Sequence, residues 1–140
     1  MTATSSGLTS STTAQINILV GTASQFSVSG YSSPAIAGVV GGFTVTAQDA
    51  SGDTVTNYSG TIHFTSSDTK AGLPANYTFV SGDSGTHTFN ATLETAGSQS
   101  ITATDTVTNT ITGSQSGITV NAAAATQIRV ETAVMEAGLL

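Results

Sequence analysis

From residue 14 onward, apolar and polar side chains alternate with a period of two, the pattern of strands with one buried face. Ile16, Ile18 and Val20 form one such set, Phe26 and Val28 the next, then Phe43, Val45 and Ala47. Further along come Ile62/Phe64, Tyr77/Phe79, Phe89/Ala91/Leu93, Ile101/Ala103 and Ile118/Val120. The spacing predicts strands over 25–29, 43–48, 61–65, 77–80, 86–93, 99–104 and 117–121. Clusters of Gly, Ser, Asn and Asp separate them, as at 50–53, 57–60, 81–85, 96–98 and 112–114. Seven to eight short strands at this spacing predict an all-β chain folded as two antiparallel sheets packed face to face. All five Phe fall on the inward parity, mixed with Ala47, Ala91 and Ala103, so the expected core is thin and filled by rings.

Residues 1–13 are mostly Ser, Thr and Gly, with Leu8 the one large apolar side chain after Met1, and read as a flexible lead-in. Residues 23–28 (Ala-Ser-Gln-Phe-Ser-Val) match 125–130 (Ala-Thr-Gln-Ile-Arg-Val) at an offset of 102. Ile16 and Ile18 match Ile118 and Val120 at the same offset. A gap-free match on both flanks predicts a repeat with a period near 100, the size of one sandwich. On this reading 14–21 resembles the closing strand of a preceding unit, 22–121 is one whole domain, and 122–140 is a linker followed by the opening strand of a next unit.

Of 140 residues, 27 are Thr and 19 are Ser, while only 7% are charged. Average soluble domains carry about 25% charged residues. Lys70 and Arg129 stand against eight carboxylates, for a net charge of -6. That balance excludes binding to nucleic acid, which needs cations to displace phosphate counterions. The absence of Cys excludes disulfides, zinc–thiolate sites and iron–sulfur clusters. No apolar run approaches the length of a membrane-spanning helix, so no membrane insertion is expected, and no signal peptide is legible in this chain.

The run Gly42-Phe43-Thr44-Val45-Thr46-Ala47-Gln48-Asp49-Ala50-Ser51-Gly52 resembles a characteristic segment of bacterial immunoglobulin-like repeats of the invasin type. So do residues 58–68, the stretch Leu73-Pro74-Ala75-Asn76-Tyr77-Thr78-Phe79 and the stretch Gly85-Thr86-His87-Thr88-Phe89. The resemblance spans about 14–132. It implies an immunoglobulin-like antiparallel β-sandwich, strung in tandem in large extracellular surface or adhesin-like proteins. The same sandwich serves many roles, so the likeness speaks to the module more than to its partner.

With immunoglobulin-type connections, three loops share one pole, and these carry Asp49, Asp53, Asp83 and Asp105. Four carboxylates at one end make them candidate Ca²⁺ ligands, since Ca²⁺ takes oxygen donors from turns. Against this, no DxDxDG loop is present, and each Asp can close its own turn. The two His have opposite parities: His63 is expected in solvent, His87 at the core's edge bonded to a loop carbonyl. Ser, His and Asp occur without a Gly-x-Ser-x-Gly elbow, so no enzyme is expected and no cofactor is required. Lys70 falls in a loop and is expected to be exposed. For carbohydrate stacking, only Tyr31 and Tyr58 lie outside the expected core.

The expected function is structural or adhesive: an immunoglobulin-like spacer or stalk in a bacterial surface protein or fibre. Its partners would be neighbouring copies or repeats of itself; the sequence names no host or surface ligand. Two alternatives stand beside it. One is a loop-based Ca²⁺- or ligand-binding module. The other is a filament subunit joined head-to-tail by exchange of terminal strands, through Ile16, Ile18 and Val20 at one end and Ile128 and Val130 at the other.

Overall fold

A computed structural model describes residues 21–124. The lead-in and the two terminal assembly strands, with Ile16, Ile18, Val20, Ile128 and Val130, lie outside the described residues. Eight strands are described: β1 (Gln25–Ser29), β2 (Ala35–Ile36), β3 (Val40–Gln48), β4 (Thr61–Ser66), β5 (Tyr77–Thr78), β6 (Thr86–Thr92), β7 (Gly97–Asp105) and β8 (Thr112–Asn121). They form a three-stranded sheet ordered β1-β3-β6 and a five-stranded sheet ordered β2-β8-β7-β4-β5. Every pairing is antiparallel except β2 with β8. The opening of the chain thus serves both sheets. β1 pairs with β3, the backbone turns at Gly30 (φ 97°), and β2 joins the far edge of the other sheet. This is an immunoglobulin-like β-sandwich.

The core follows the alternation. Phe26, Val28, Phe43, Val45, Ala47, Phe89 and Ala91 point inward from one sheet and Ile62, Phe64, Ile101, Ala103, Ile118 and Val120 from the other. All five Phe are buried. Phe64 meets Phe43 edge-on at 5.7 Å and Phe89 at 4.8 Å, so one ring of the larger sheet is held between two of the smaller.

The hydroxyls that dominate the composition pair across strands on the two outer faces. Thr44 bonds Thr88 (3.1 Å) and Thr46 bonds Thr86 (2.9 Å) on one sheet. Thr61–Thr78 (2.7 Å), Thr102–Ser114 (2.6 Å) and Thr104–Thr112 (2.9 Å) do the same on the other. Cross-strand Thr pairs each stabilise a sheet by about 0.2–1 kcal/mol without charge.

Several features differ from the pattern-based expectation: β2 is an added strand, and β8 begins at Thr112, in a segment expected to be a turn, rather than at 117. The segment 77–80 pairs only at Tyr77–Thr78, against Ile62 and Thr61, and then bends into a 3-10 turn at Ser81–Asp83. β3 begins at Val40 rather than Phe43, because Gly41 and Gly42 pair with Ala91 and Asn90. Tyr31 and Tyr58 are core residues, not a stacking platform. Tyr31 lies over Gly41, where a Cβ would come within 2.9 Å of its ring. Its hydroxyl donates to Ala91 O (3.2 Å) and accepts from Leu93 N (3.3 Å).

The topology fixes two poles. Gly21 enters at the proximal pole, where its N–H donates to Asp49 Oδ2 (3.3 Å) beside the β3–β4 loop. Asn121 ends β8 at the distal pole, paired with Ile36 and accepting from Ala37 N (2.8 Å). No described helix is long and apolar enough to cross a membrane.

Candidate functional site

At the proximal pole three carboxylates sit in three neighbouring loops, each drawn into hydrogen bonds of its own. Asp49 Oδ1 accepts from Ser51 N (2.9 Å) and Asp53 N (3.0 Å), closing a turn that Gly52 completes at φ 89°. The amide of Asp53, with those of Ser51 and Gly21, holds the Asp49 carboxyl below its ordinary range against the opposing effect of burial. Asp83 Oδ2 accepts from Val80 N (2.9 Å) and the Tyr77 hydroxyl (2.9 Å), and Oδ1 meets His87 Nδ1 at 2.9 Å. The Val80 amide leads the groups that lower Asp83. Asp105 Oδ1 accepts from Val107 N (2.8 Å) and Thr108 N (2.7 Å), and Oδ2 from the Tyr58 hydroxyl. Burial raises Asp105, but these donors outweigh it and its carboxyl is lowered. Burial, then the bond to Asp105 and its charge, push the Tyr58 phenol far above its ordinary value.

The four Ca²⁺ candidates therefore share a pole without forming a centre. Among the described residues no three His, Asp or Glu are grouped to hold a metal ion. The side chains of Asp49, Asp83 and Asp105 spend both oxygens on nearby donors, and Asp53 is exposed, contributing its backbone to the Asp49 turn. The carboxylates are turned to separate donors in separate loops and are not presented together to one cation. Millimolar Ca²⁺ is accordingly expected to leave the thermal melting curve where chelator leaves it. A binding site filled at a hundredfold excess over Kd would stabilise the fold by about 2.7 kcal/mol, an effect easily seen.

Between the start of β1 and the β3–β4 and β7–β8 loops lies an open cleft of about 430 Å³. Thr22, Asn57, Ser59 and Thr108 line it beside Tyr58 and Asp105. With Asp105 already bonded, the walls offer hydroxyl and amide hydrogen bonds. Tyr58→Phe removes the donor to Asp105 Oδ2 and is expected to cost about 1–3 kcal/mol in urea unfolding, the penalty for orphaning a buried acceptor.

His87 is half-buried, as parity predicts, but its partner is the Asp83 carboxylate rather than a loop carbonyl. It stacks on Tyr77 at 4.2 Å, and the two side chains share Asp83, one on each oxygen. His63 is exposed, with Nδ1 2.8 Å from Asn76 Oδ1, and Lys70 is exposed in its loop.

The distal pole holds a carboxylate that pattern reading did not single out. Asp68 is buried, and its Oδ2 accepts from Glu94 N (2.6 Å) and Thr95 N (2.9 Å). Oδ1 accepts from the Thr95 hydroxyl (2.8 Å) and Lys70 N (2.9 Å). Burial acts to raise this carboxyl, yet the four donors hold it down at about 2. The Asp68–Thr69–Lys70 turn is a local signal. The reach to Glu94 and Thr95 depends on two loops meeting.

The distal pole also carries an apolar groove of about 230 Å³, lined by Tyr31, Pro34, Ile36, Val39 and Val40. Ile36, Val39 and Val40 are 44%, 55% and 62% exposed. At the proximal pole Val80 is 55% and Val107 88% exposed. Among the described residues, the large exposed hydrophobic side chains thus sit at the two ends of the sandwich. The sheet faces carry hydroxyl pairs.

No protein-family model matches the chain, and no curated protein matches it.

Proposed function

We propose that the chain is a structural module of an extended extracellular array, an immunoglobulin-like repeat of bacterial surface type acting as spacer or stalk. The observation that carries this reading is the placement of the ends: residue 21 enters at one pole and residue 121 leaves at the other. A module with opposite ends adds its full length to a string of copies. One with adjacent ends would branch from it. The 102-residue internal match supplies the period of such a string. Uncharged hydroxyl pairs on both sheet faces and a core that needs no disulfide suit a unit whose task is to hold its shape. The sequence of the complete reading frame tests the reading. Further copies at a spacing of about 100 residues on both sides are expected. A frame in which this unit stands single, joined to a catalytic domain, would overturn it.

A further inference from the structure

The poles differ in polarity as well as in position. The distal pole carries an apolar groove lined by Tyr31, Pro34, Ile36, Val39 and Val40, whereas the proximal cleft beside Tyr58 has polar walls. The proximal pole projects Val107 on the loop between β7 and β8. That loop is fixed from within: Asp105 Oδ1 accepts from the amides of Val107 and Thr108, and Ile111 N donates to Thr108 O (2.9 Å). A valine almost wholly in solvent, on a loop tied by its own hydrogen bonds, is a preorganised knob that gives nothing to its own fold.

We propose that the distal groove is the seat for the Val107 loop of a second copy of this unit. Successive units would then be locked end to end rather than freely jointed. The inference rests on the array reading above and adds the contact that sets the angle between neighbours. Chain length favours this occupant over others. Asn121 ends β8 directly beside Ile36, at the rim of the groove. By the internal match, position 127 of this chain corresponds to Gln25, the first residue of β1. On that correspondence five residues, 122–126, would separate one unit's last strand from the next unit's first. The six steps from 121 to 127 span at most about 21 Å. The next unit's proximal pole, where its Val107 stands, is therefore delivered to the groove it would fill. Knob and groove lie on different surfaces, so the contact is head-to-tail and repeats without closing a pair. Tethering this short raises the local concentration to roughly millimolar, so a contact too weak to hold free copies together is engaged within an array.

The test uses the full chain, labelled with ¹⁵N, with amide spectra recorded from about 50 μM to about 2 mM, the range in which such a contact forms between free copies. Signals of 106–108 and of 36–40 are expected to shift together with concentration. Val107→Asp should abolish the shifts at 36–40, and Val39→Asp those at 106–108. Both positions are exposed, so the dispersion of the remaining signals verifies that each variant folds. Mixing the two variants is expected to restore the shift of groove signals in the Val107→Asp chain, because its intact groove meets the intact knob of the other. No concentration dependence up to the highest concentration would overturn the proposal, as would groove shifts that persist in Val107→Asp. Nuclear Overhauser contacts from Ile128 or Val130 to Val39, unchanged on dilution, would put the chain's own tail in the groove and overturn it too. Tandem copies in the reading frame without this coupling would leave the array reading standing and remove the lock alone. Coupling in a frame with no further copies would do the reverse.

Discussion

Gly113→Ala is expected to destabilise the domain severely, by more than about 4 kcal/mol. Gly113 lies on β8 opposite Ala103, where the strand passes β1 of the other sheet. A Cβ there would stand 2.6 Å from the carbonyl carbon of Phe26, closer still to its oxygen, and 3.1 Å from the Phe26 Cβ. The obstacle is backbone, which cannot swing aside as a side chain can. Phe26 is itself held in register against Ala47, and its ring packs edge-on to Tyr58 at 5.5 Å. One of the two strands must therefore retreat and take part of the core with it. Effects of this kind belong to the exceptional class above about 4 kcal/mol. For a domain of this size that is a fall in melting temperature on the order of 20 °C or more. Gly82→Ala is the control. Gly82 has open space around its missing Cβ, and the same substitution there is expected to change stability by no more than about 0.5 kcal/mol. Circular-dichroism melts of the two variants decide the matter. Equal melts would mean that β1 and β8 do not approach as described.

The role of Gly113 shows where pattern reading reaches its limit. Thr112-Gly113-Ser114 reads locally as a turn, because Gly among hydroxyl residues is the usual punctuation of one. In the fold it lies within β8, and its missing side chain serves a contact with a strand more than eighty residues earlier. Tyr31 and Tyr58 show the same limit. Neither sits on an alternating strand, and each is buried because a loop folds it back over a glycine, Gly41 or Gly60. Inward positions on β1, β3, β4, β6 and β7 were legible because a strand with one wet face writes its orientation into every second residue. The acidic loops were legible in part. Asp49, Asp83 and Asp105 reach one pole because strand direction alternates, which topology alone dictates. Whether their carboxylates meet depends on where each finds its nearest donors. Most of those donors are backbone amides, which a sequence does not distinguish, and the others, the Tyr58 and Tyr77 hydroxyls and His87 Nδ1, are brought to their carboxylates only by the fold.

Asp68 is the other position where a large effect is expected, and its effect depends on pH. Its carboxylate ties the β4–β5 loop to the β6–β7 loop through Lys70, Glu94 and Thr95. Asp68→Ala would leave those donors without their acceptor in a buried setting. The expected cost is roughly 3 kcal/mol or more, since hydrogen bonds to a charged group are the stronger kind. Because the folded chain holds this carboxyl at about 2, below its ordinary value of 3.8, the anion contributes stability above that ordinary value. The contribution drains away as pH falls from about 4 toward 2, and is gone once the folded form is itself protonated. Asp49, Asp83 and Asp105 are lowered as well and act in the same direction. Asp68→Asn separates its share from theirs. The amide keeps the shape but turns an NH₂ toward donors that need an acceptor, so the variant starts weaker at neutral pH. It has no proton to gain on acidification, so its unfolding free energy should fall less steeply than that of the parent. The two urea-unfolding curves, far apart at about pH 7, are expected to converge near pH 2. A constant gap across that range would mean that Asp68 acts through packing alone and that the other three carboxylates carry the acid sensitivity of the fold.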